Sequence, residues 1–376
     1  MTSSFDPIPN IERLIRPELL GLKPYEPIEP LEVLSQRCGV PVDKIIKLDG
    51  NENPYGCSPR VQRALADYSY YHIYTDPLQR DVRQALERYV GVGSEHIVMG
   101  SGSDELIDLT LRLLLEPGDK VINCQPTFGM YSFSTAVCGG QIVDVPRDSA
   151  YAVDVAAVKK AVDPRTKAIF IASPNNPTGN VTLRDDILEL VRTGIMVVVD
   201  EAYCEFSGQT VAPLVLDHEN LIVLRTFSKW AGLGGLRIGY GIFPVNIADL
   251  IFKIKPPYNV NIAAQVAALA SLADLEYLQG VVRKIVAERE RLYSELKRLG
   301  FLEPLPSQAN FILCRVLDGP SQREGSRQIV NELAKVGIFV RYYDTPLLRN
   351  FLRISVGKPE HTDALVGALR RIGGSQ

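Results

Sequence analysis

The run KAIFIASPNNPTG at residues 167–179 is apolar without a break from Ala168 to Ala172 and ends in turn chemistry. An apolar run without polar alternation reads as a strand covered on both faces, and Asn, Pro, Thr and Gly in succession read as a tight loop. The same sequence of events recurs along the chain. IMVVVDEAY at 195–203 runs into Asp200-Glu201-Ala202-Tyr203, and LIVLRTFSK at 221–229 runs into Thr226-Phe227-Ser228-Lys229. Glu95–Met99 leads into Gly100-Ser101-Gly102-Ser103 and then an apolar helix over Glu105–Leu115, while Lys120–Asn123 and Gln141–Val145 supply two further β-rich runs. Strands alternating with helical segments predict an α/β fold: a mostly parallel mixed sheet covered by helices, spanning residues 45–260. Ligands of such a sheet gather at the carboxyl ends of its strands.

Outward from this core, residues 1–44 carry Pro7, Pro9, Pro17, Pro24, Pro27, Pro30 and Pro41. They are expected to form an N-terminal arm and part of a small domain, with one short helix at Leu31–Cys38. The spacing of Val82, Ala85, Leu86 and Tyr89 predicts a helix over Gln79–Val90. Residues 261–376 read as a smaller α+β domain. It opens with two helical patterns from Ala263 to Gly300 and continues with strands Ala309–Val316, Ile338–Arg341 and Leu352–Val356, a helix Ser326–Val336, and a last helix from Glu360. Glu288, Arg289, Glu290 and Arg291 are expected to form a solvated charged face.

The chain has 376 residues, 41 Lys+Arg against 44 Asp+Glu, a formal charge of −3 and 46 % apolar residues. That composition gives no electrostatic reason to bind nucleic acid or an anionic membrane, so small molecules and a second copy of the chain are the expected partners. No apolar run reaches the roughly 18–20 residues of a membrane span, and Asp6, Pro7, Pro9 and Glu12 stand where a signal peptide would be apolar. Six dispersed cysteines without a CxxC pair read as reduced thiols, and a cytoplasmic location is expected. Four isolated histidines, at 72, 96, 218 and 361, give no material for a metal site.

An amide (Asn175-Asn176), an acid (Asp200), an amine (Lys229) and a guanidinium (Arg237) follow consecutive strands. Each has a plain structural reading as a turn or a cap, but their coincidence at one sheet edge marks a site. At these residues the chain resembles the histidinol-phosphate aminotransferase subfamily of fold-type I pyridoxal-phosphate transferases. Ser-Pro-Asn-Asn-Pro-Thr-Gly at 173–179, Asp-Glu-Ala-Tyr at 200–203, Thr-Phe-Ser-Lys at 226–229 and Gly-Leu-Arg at 235–237 match its motifs in order and spacing. Asn-Glu-Asn-Pro-Tyr-Gly at 51–56, Gly-Ser-Gly-Ser-Asp-Glu at 100–105 and Pro-Thr-Phe-Gly at 126–129 extend the match over essentially the whole chain.

The resemblance implies pyridoxal 5'-phosphate as cofactor, with Lys229 as the amine that bonds its aldehyde and Asp200 as the carboxylate that keeps its ring nitrogen protonated. Asn176 and Tyr203 would donate to its phenolate oxygen. Ser103 and Asp104 would offer backbone N–H groups to its phosphate, joined by the Ser228 hydroxyl and the Arg237 guanidinium. Phe128 would stack on the ring. Tyr74 would reach the phosphate of a neighbouring subunit, implying a homodimer with a shared active site. Arg341 and Arg353, with Tyr25 and Asn51, would hold the substrates: histidinol phosphate, and the carboxylate of glutamate or 2-oxoglutarate. Arg349 reads as surface. Two departures from the pattern stand out. Trp230 follows the lysine directly, and Tyr342-Tyr343-Asp344-Thr345 lies beside Arg341; both are places where a preference for aromatic amino acids would be written. An aromatic aminotransferase of the same subfamily is therefore the first alternative, and a threonine-phosphate decarboxylase the second. A transcription regulator built on such a domain is disfavoured, since the residues before Ile45 carry no helix-turn-helix pattern.

Overall fold

Short runs of Val, Ile and Leu bounded by Gly, Pro or Asp form the strands, and helices with one apolar stripe pack on both faces of the sheet they build. The computed structural model describes residues 11–317 and 325–374, so Pro7, Pro9 and the rest of the first ten residues of the expected arm lie outside the described residues. In chain order the strands are β1 (Ile46–Leu48), β2 (Ile97–Gly100), β3 (Lys120–Gln125), β4 (Gln141–Pro146), β5 (Thr166–Ala172), β6 (Met196–Asp200), β7 (Leu221–Thr226), β8 (Gly239–Ile242), β9 (Leu302–Pro304), β10 (Phe311–Val316), β11 (Ile338–Tyr342) and β12 (Phe351–Ser355).

Seven of them form one sheet in the order β2-β8-β7-β6-β5-β3-β4. It is parallel from β7 to β4, and β8 alone runs antiparallel to both of its neighbours. The expected α/β architecture is present. Each central strand is buried on both sides, as its unbroken apolar run demanded: Ile169 and Ile171 of β5 enter one core, and Ala168, Phe170 and Ala172 the other. Burying each such side chain contributes roughly 1.5–3 kcal/mol.

The second sheet has the order β1-β11-β12-β10-β9. Its edge strand β1 pairs in parallel with β11, so the segment after residue 44 still contributes to the small sheet before the chain enters the large one. The helix Leu275–Arg298 buries Leu278, Val281, Ile285, Leu292 and Leu296 at helical spacing. Here the charged-face expectation is corrected. Glu288 and Arg289 are buried, Glu288 paired with Arg291 at 2.8 Å and Arg289 donating to the Ala309 carbonyl at 3.1 Å. Four successive charges point in four directions around a helix, and only Glu290 and Arg291 of these reach solvent.

Candidate active site

The carboxyl ends of β5, β6 and β7 stand side by side: Ala172 is registered on Asp200, and Asp200 on Leu224. The turns that follow them open on a cavity of about 500 Å³ between the two sheets. Every residue to which the resemblance gave a cofactor or substrate role lines this cavity except Tyr74. Asn175 does not line it, its side chain being engaged with Thr127, Thr178 and the Pro126 carbonyl.

Asp200 ends β6 and is buried. Its Oδ2 accepts the Tyr131 hydroxyl at 2.7 Å and its Oδ1 the Ala202 N–H at 3.0 Å. Burial pushes its carboxyl up to about 6, against the pull of those two donors. The Lys229 amine donates to the Gly50 carbonyl at 3.0 Å and has no carboxylate partner among the described residues. Burial, helped by the Arg353 guanidinium, lowers it to about 8. An amine of lowered basicity and a buried acid thus share one cavity.

The helix Ser103–Leu114 begins at the cavity, which its first two residues, Ser103 and Asp104, line. Gly102 precedes it with φ 79°, and a Cβ there would meet the Arg237 guanidinium at 2.5 Å. Arg237 itself has φ 56° and pairs with Asp104 at 2.9 Å. That pair is half exposed and contributes at most about 1 kcal/mol, so the guanidinium is available to an incoming anion. Ser228 lies beside these groups, its Oγ accepting from Thr226 Oγ1 at 2.9 Å. Helix N–H groups, a hydroxyl and a guanidinium form a cradle for a phosphate.

On the substrate side, Asn51 adopts φ 54° and donates to the Tyr203 hydroxyl at 3.0 Å, while its own Oδ1 and N–H bond Ser355 at 2.9 and 2.8 Å. Arg353, buried in β12, donates to Asn176 Oδ1 at 2.6 Å and to the Asp49 carbonyl at 2.5 Å, and its Nε has no partner. Arg341 is half-buried and donates to the Glu26 carbonyl at 3.2 Å. Neither arginine has a carboxylate partner among the described residues. Tyr25, Phe128 and Tyr343 complete this wall, with Tyr25 edge-on to Phe128 at 6.3 Å and Tyr343 under the Arg341 guanidinium at 5.9 Å.

Tyr74 is 81 % exposed and stacks on Tyr258 at 4.6 Å, away from the cavity of its own chain. Trp230 is buried against Tyr89 at 5.3 Å and does not line the cavity, so it packs behind the lysine. Arg349 is exposed. Two features escaped the sequence reading. Tyr131 looked like one more apolar position in MYSF, and nothing local says that its hydroxyl meets Asp200. The buried pair Glu201–Arg225, at 2.8 Å, braces the ends of β6 and β7 behind the site, and only the strand register brings the two together.

The donor set fits pyridoxal phosphate: an unpaired amine for an aldehyde, a buried acid for a ring nitrogen, and a cradle that a Cβ at 102 would fill. Among the described residues no group of three His, Cys, Asp or Glu side chains is placed to hold a metal ion, and no helix is long and apolar enough to cross a membrane. The family description "Aminotransferase class I and II" matches residues 43–369. The chain belongs to the class I and II aminotransferase family. Within that family, the histidinol-phosphate aminotransferase of Dehalococcoides mccartyi strain BAV1 is 49 % identical over 364 residues, 97 % of this chain and 99 % of that protein. The protein of the same name from Roseiflexus castenholzii is 50 % identical over 369 residues, covering 96 % and 99 %. Among solved structures, the histidinol-phosphate aminotransferase of Sinorhizobium meliloti in complex with pyridoxal-5'-phosphate superposes with a TM-score of 0.85, at 29 % identity over 99 % of both chains.

Proposed function

We propose that this protein uses pyridoxal phosphate to transfer the amino group of L-histidinol phosphate to 2-oxoglutarate, giving imidazole-acetol phosphate and L-glutamate. The observation that carries the reading is that Arg341 and Arg353, neither with a carboxylate partner, face the same cavity as the Lys229 amine. Buried or half-buried guanidinium groups without a counter-anion are costly, and a phosphate or carboxylate substrate relieves that cost.

The bound cofactor supplies an electron sink for the charge that develops at the substrate α-carbon. Lys229 would hold the cofactor through its aldehyde, and its amine, when free, would take the proton from the substrate α-carbon. Its depressed basicity suits that work near neutral pH. Asp200 keeps a proton on the ring nitrogen. Tyr203 accepts from Asn51, which leaves its own hydroxyl hydrogen for the cofactor oxygen, and the Asn176 NH2 group is a second donor there. Ser103, Asp104, Ser228 and Arg237 would hold the cofactor's phosphate, and Phe128 would stack on its ring. Arg353 takes the carboxylate of glutamate or 2-oxoglutarate, while Arg341 and Tyr25 serve the phosphate of histidinol phosphate, with Asn51 orienting Tyr203. Tyr74 of the partner subunit completes the cradle in a homodimer. The exposed aromatic patch of Tyr70, Tyr71, Tyr74 and Tyr258 supports such an interface. Six unpaired cysteines are in keeping with a cytoplasmic enzyme.

The half-reaction tests the substrate. Histidinol phosphate added to the cofactor-loaded protein should discharge the cofactor absorbance, and 2-oxoglutarate should restore it. Discharge by phenylalanine or tyrosine with none by histidinol phosphate would identify an aromatic aminotransferase, and release of carbon dioxide would identify a decarboxylase.

A further inference from the structure

Apolar strand ends surround Asp200, and a carboxylate in such a place loses its charge unless donors compensate it. The Ala202 N–H belongs to the turn after β6 and would be present whatever stood at position 131. The second donor is a side-chain choice. Tyr131 is fully buried, stacked on Phe170 at 5.0 Å and edge-on to Phe128 at 5.6 Å, and a phenylalanine would fill the same slot. Only its hydroxyl, 2.7 Å from Oδ2, distinguishes it.

We propose that Tyr131 is the positioning residue of the cofactor site: through its bond to Oδ2 it holds Asp200 ionised and turned toward the cavity. The proposal rests on the pyridoxal-phosphate reading above. The charged surroundings make the hydroxyl necessary. Asp104, from the helix Ser103–Leu114, and Glu201, next to Asp200, both disfavour a further negative charge, and Tyr203 adds another phenol. Arg147 is the cation whose field reaches Tyr131, and its Nε and Nη1 donate to the Cys124 and Tyr151 carbonyls, not to Asp200. Lys229 faces the same cavity but donates to Gly50. Tyr131 is the only side chain among the described residues that donates to the Asp200 carboxylate. Its ring also sets the edge of Phe128, so one residue orients both the acid and the aromatic cover.

Tyr131→Phe, Asp200→Asn and the double variant, freed of cofactor, are titrated with pyridoxal phosphate between pH 5 and 9. Loss of a hydrogen bond to a charged group predicts at least about tenfold weaker cofactor binding by Tyr131→Phe at pH 7. The acid-side fall of affinity should move up by about one pH unit, because the carboxyl protonates more readily without its donor. kcat should fall while KM for histidinol phosphate stays within about twofold. In the Asp200→Asn background the same substitution should change the cofactor dissociation constant less than about twofold. An unmoved acid limb, or an equal loss in the Asp200→Asn background, overturns the proposal and leaves Tyr131 a packing residue. If Tyr131→Phe does not fold, 3-fluorotyrosine at position 131 keeps the shape and strengthens the donor. It should move the acid limb downward, and an unmoved limb again overturns the proposal. A wild-type protein that binds no pyridoxal phosphate refutes the broader functional reading instead, before any variant is compared.

Discussion

Lys229 occupies a place that disfavours its own charge. Its amine, lowered to about 8 by burial, loses its proton in the native state while the unfolded chain still holds one, between about pH 8 and the ordinary lysine value near 10.4. Stability of the cofactor-free protein should therefore rise as pH climbs through that window, and at pH 7 the lysine is a liability. Lys229→Met is expected to stabilise the cofactor-free protein by about 2 kcal/mol at pH 7, with the gain shrinking toward pH 10 in paired thermal melts. The same variant should show no turnover. For the acid, Asp200→Asn should still fold and bind cofactor but turn over at least about a hundredfold more slowly, since a neutral amide does not hold the ring proton; stopped-flow half-reactions read this directly. At this scale the meeting of Asp200, Lys229, Arg237 and Arg353 in one cavity was legible, because they carry charge where the chain is otherwise apolar. Tyr131 was not legible, since a tyrosine in an apolar run looks the same whether its hydroxyl meets a carboxylate or merely faces a crevice, whereas Tyr343, in the bulky stretch beside Arg341, does line the cavity.

Among the elements, the parallel strands were legible because each is a short bounded β-rich run, several of them nearly continuously apolar, and β7 falls on Leu221–Thr226 as expected. β8 was not. Gly239-Tyr240-Gly241-Ile242 has half the side chains a strand normally packs, and its glycines are there for clearance. A Cβ at 239 would meet the Ser103 N–H nitrogen at 2.6 Å, and one at 241 would run into the Phe243 ring. The strand exists because β2 and β7 flank it, not because of its own propensity. The turn before the helix Ser103–Leu114 makes a sharper claim. Gly102→Ala places a side chain at φ 79° and against Arg237, so it should destabilise the fold by about 1–2 kcal/mol and weaken cofactor binding at least about tenfold. A fluorescence titration of the cofactor-free variant measures the second effect, and binding equal to wild type would show that the cradle lies elsewhere.

The molecule as a whole places one sheet's strand ends opposite another's, and the residues of the cavity come from segments as distant along the chain as Asn51 and Arg353. Spacing alone does not say that β1 leaves the large domain to pair with β11, because that contact joins residues nearly three hundred positions apart. The shared-site proposal is tested by mixing subunits. Lys229→Ala and Tyr74→Ala homodimers should each be impaired, while refolded mixtures should recover up to about a quarter of wild-type turnover, because half the dimers are hybrids with one intact site. No recovery would mean that Tyr74 serves its own chain or none. The central claim is that the Lys229 amine holds pyridoxal phosphate in this cavity. Borohydride reduction of the loaded protein, followed by peptide mass mapping, tests it most directly. One reduced pyridoxyl phosphate group per chain, on Lys229, is the expected result; a different modified lysine, or none, would refute the assignment.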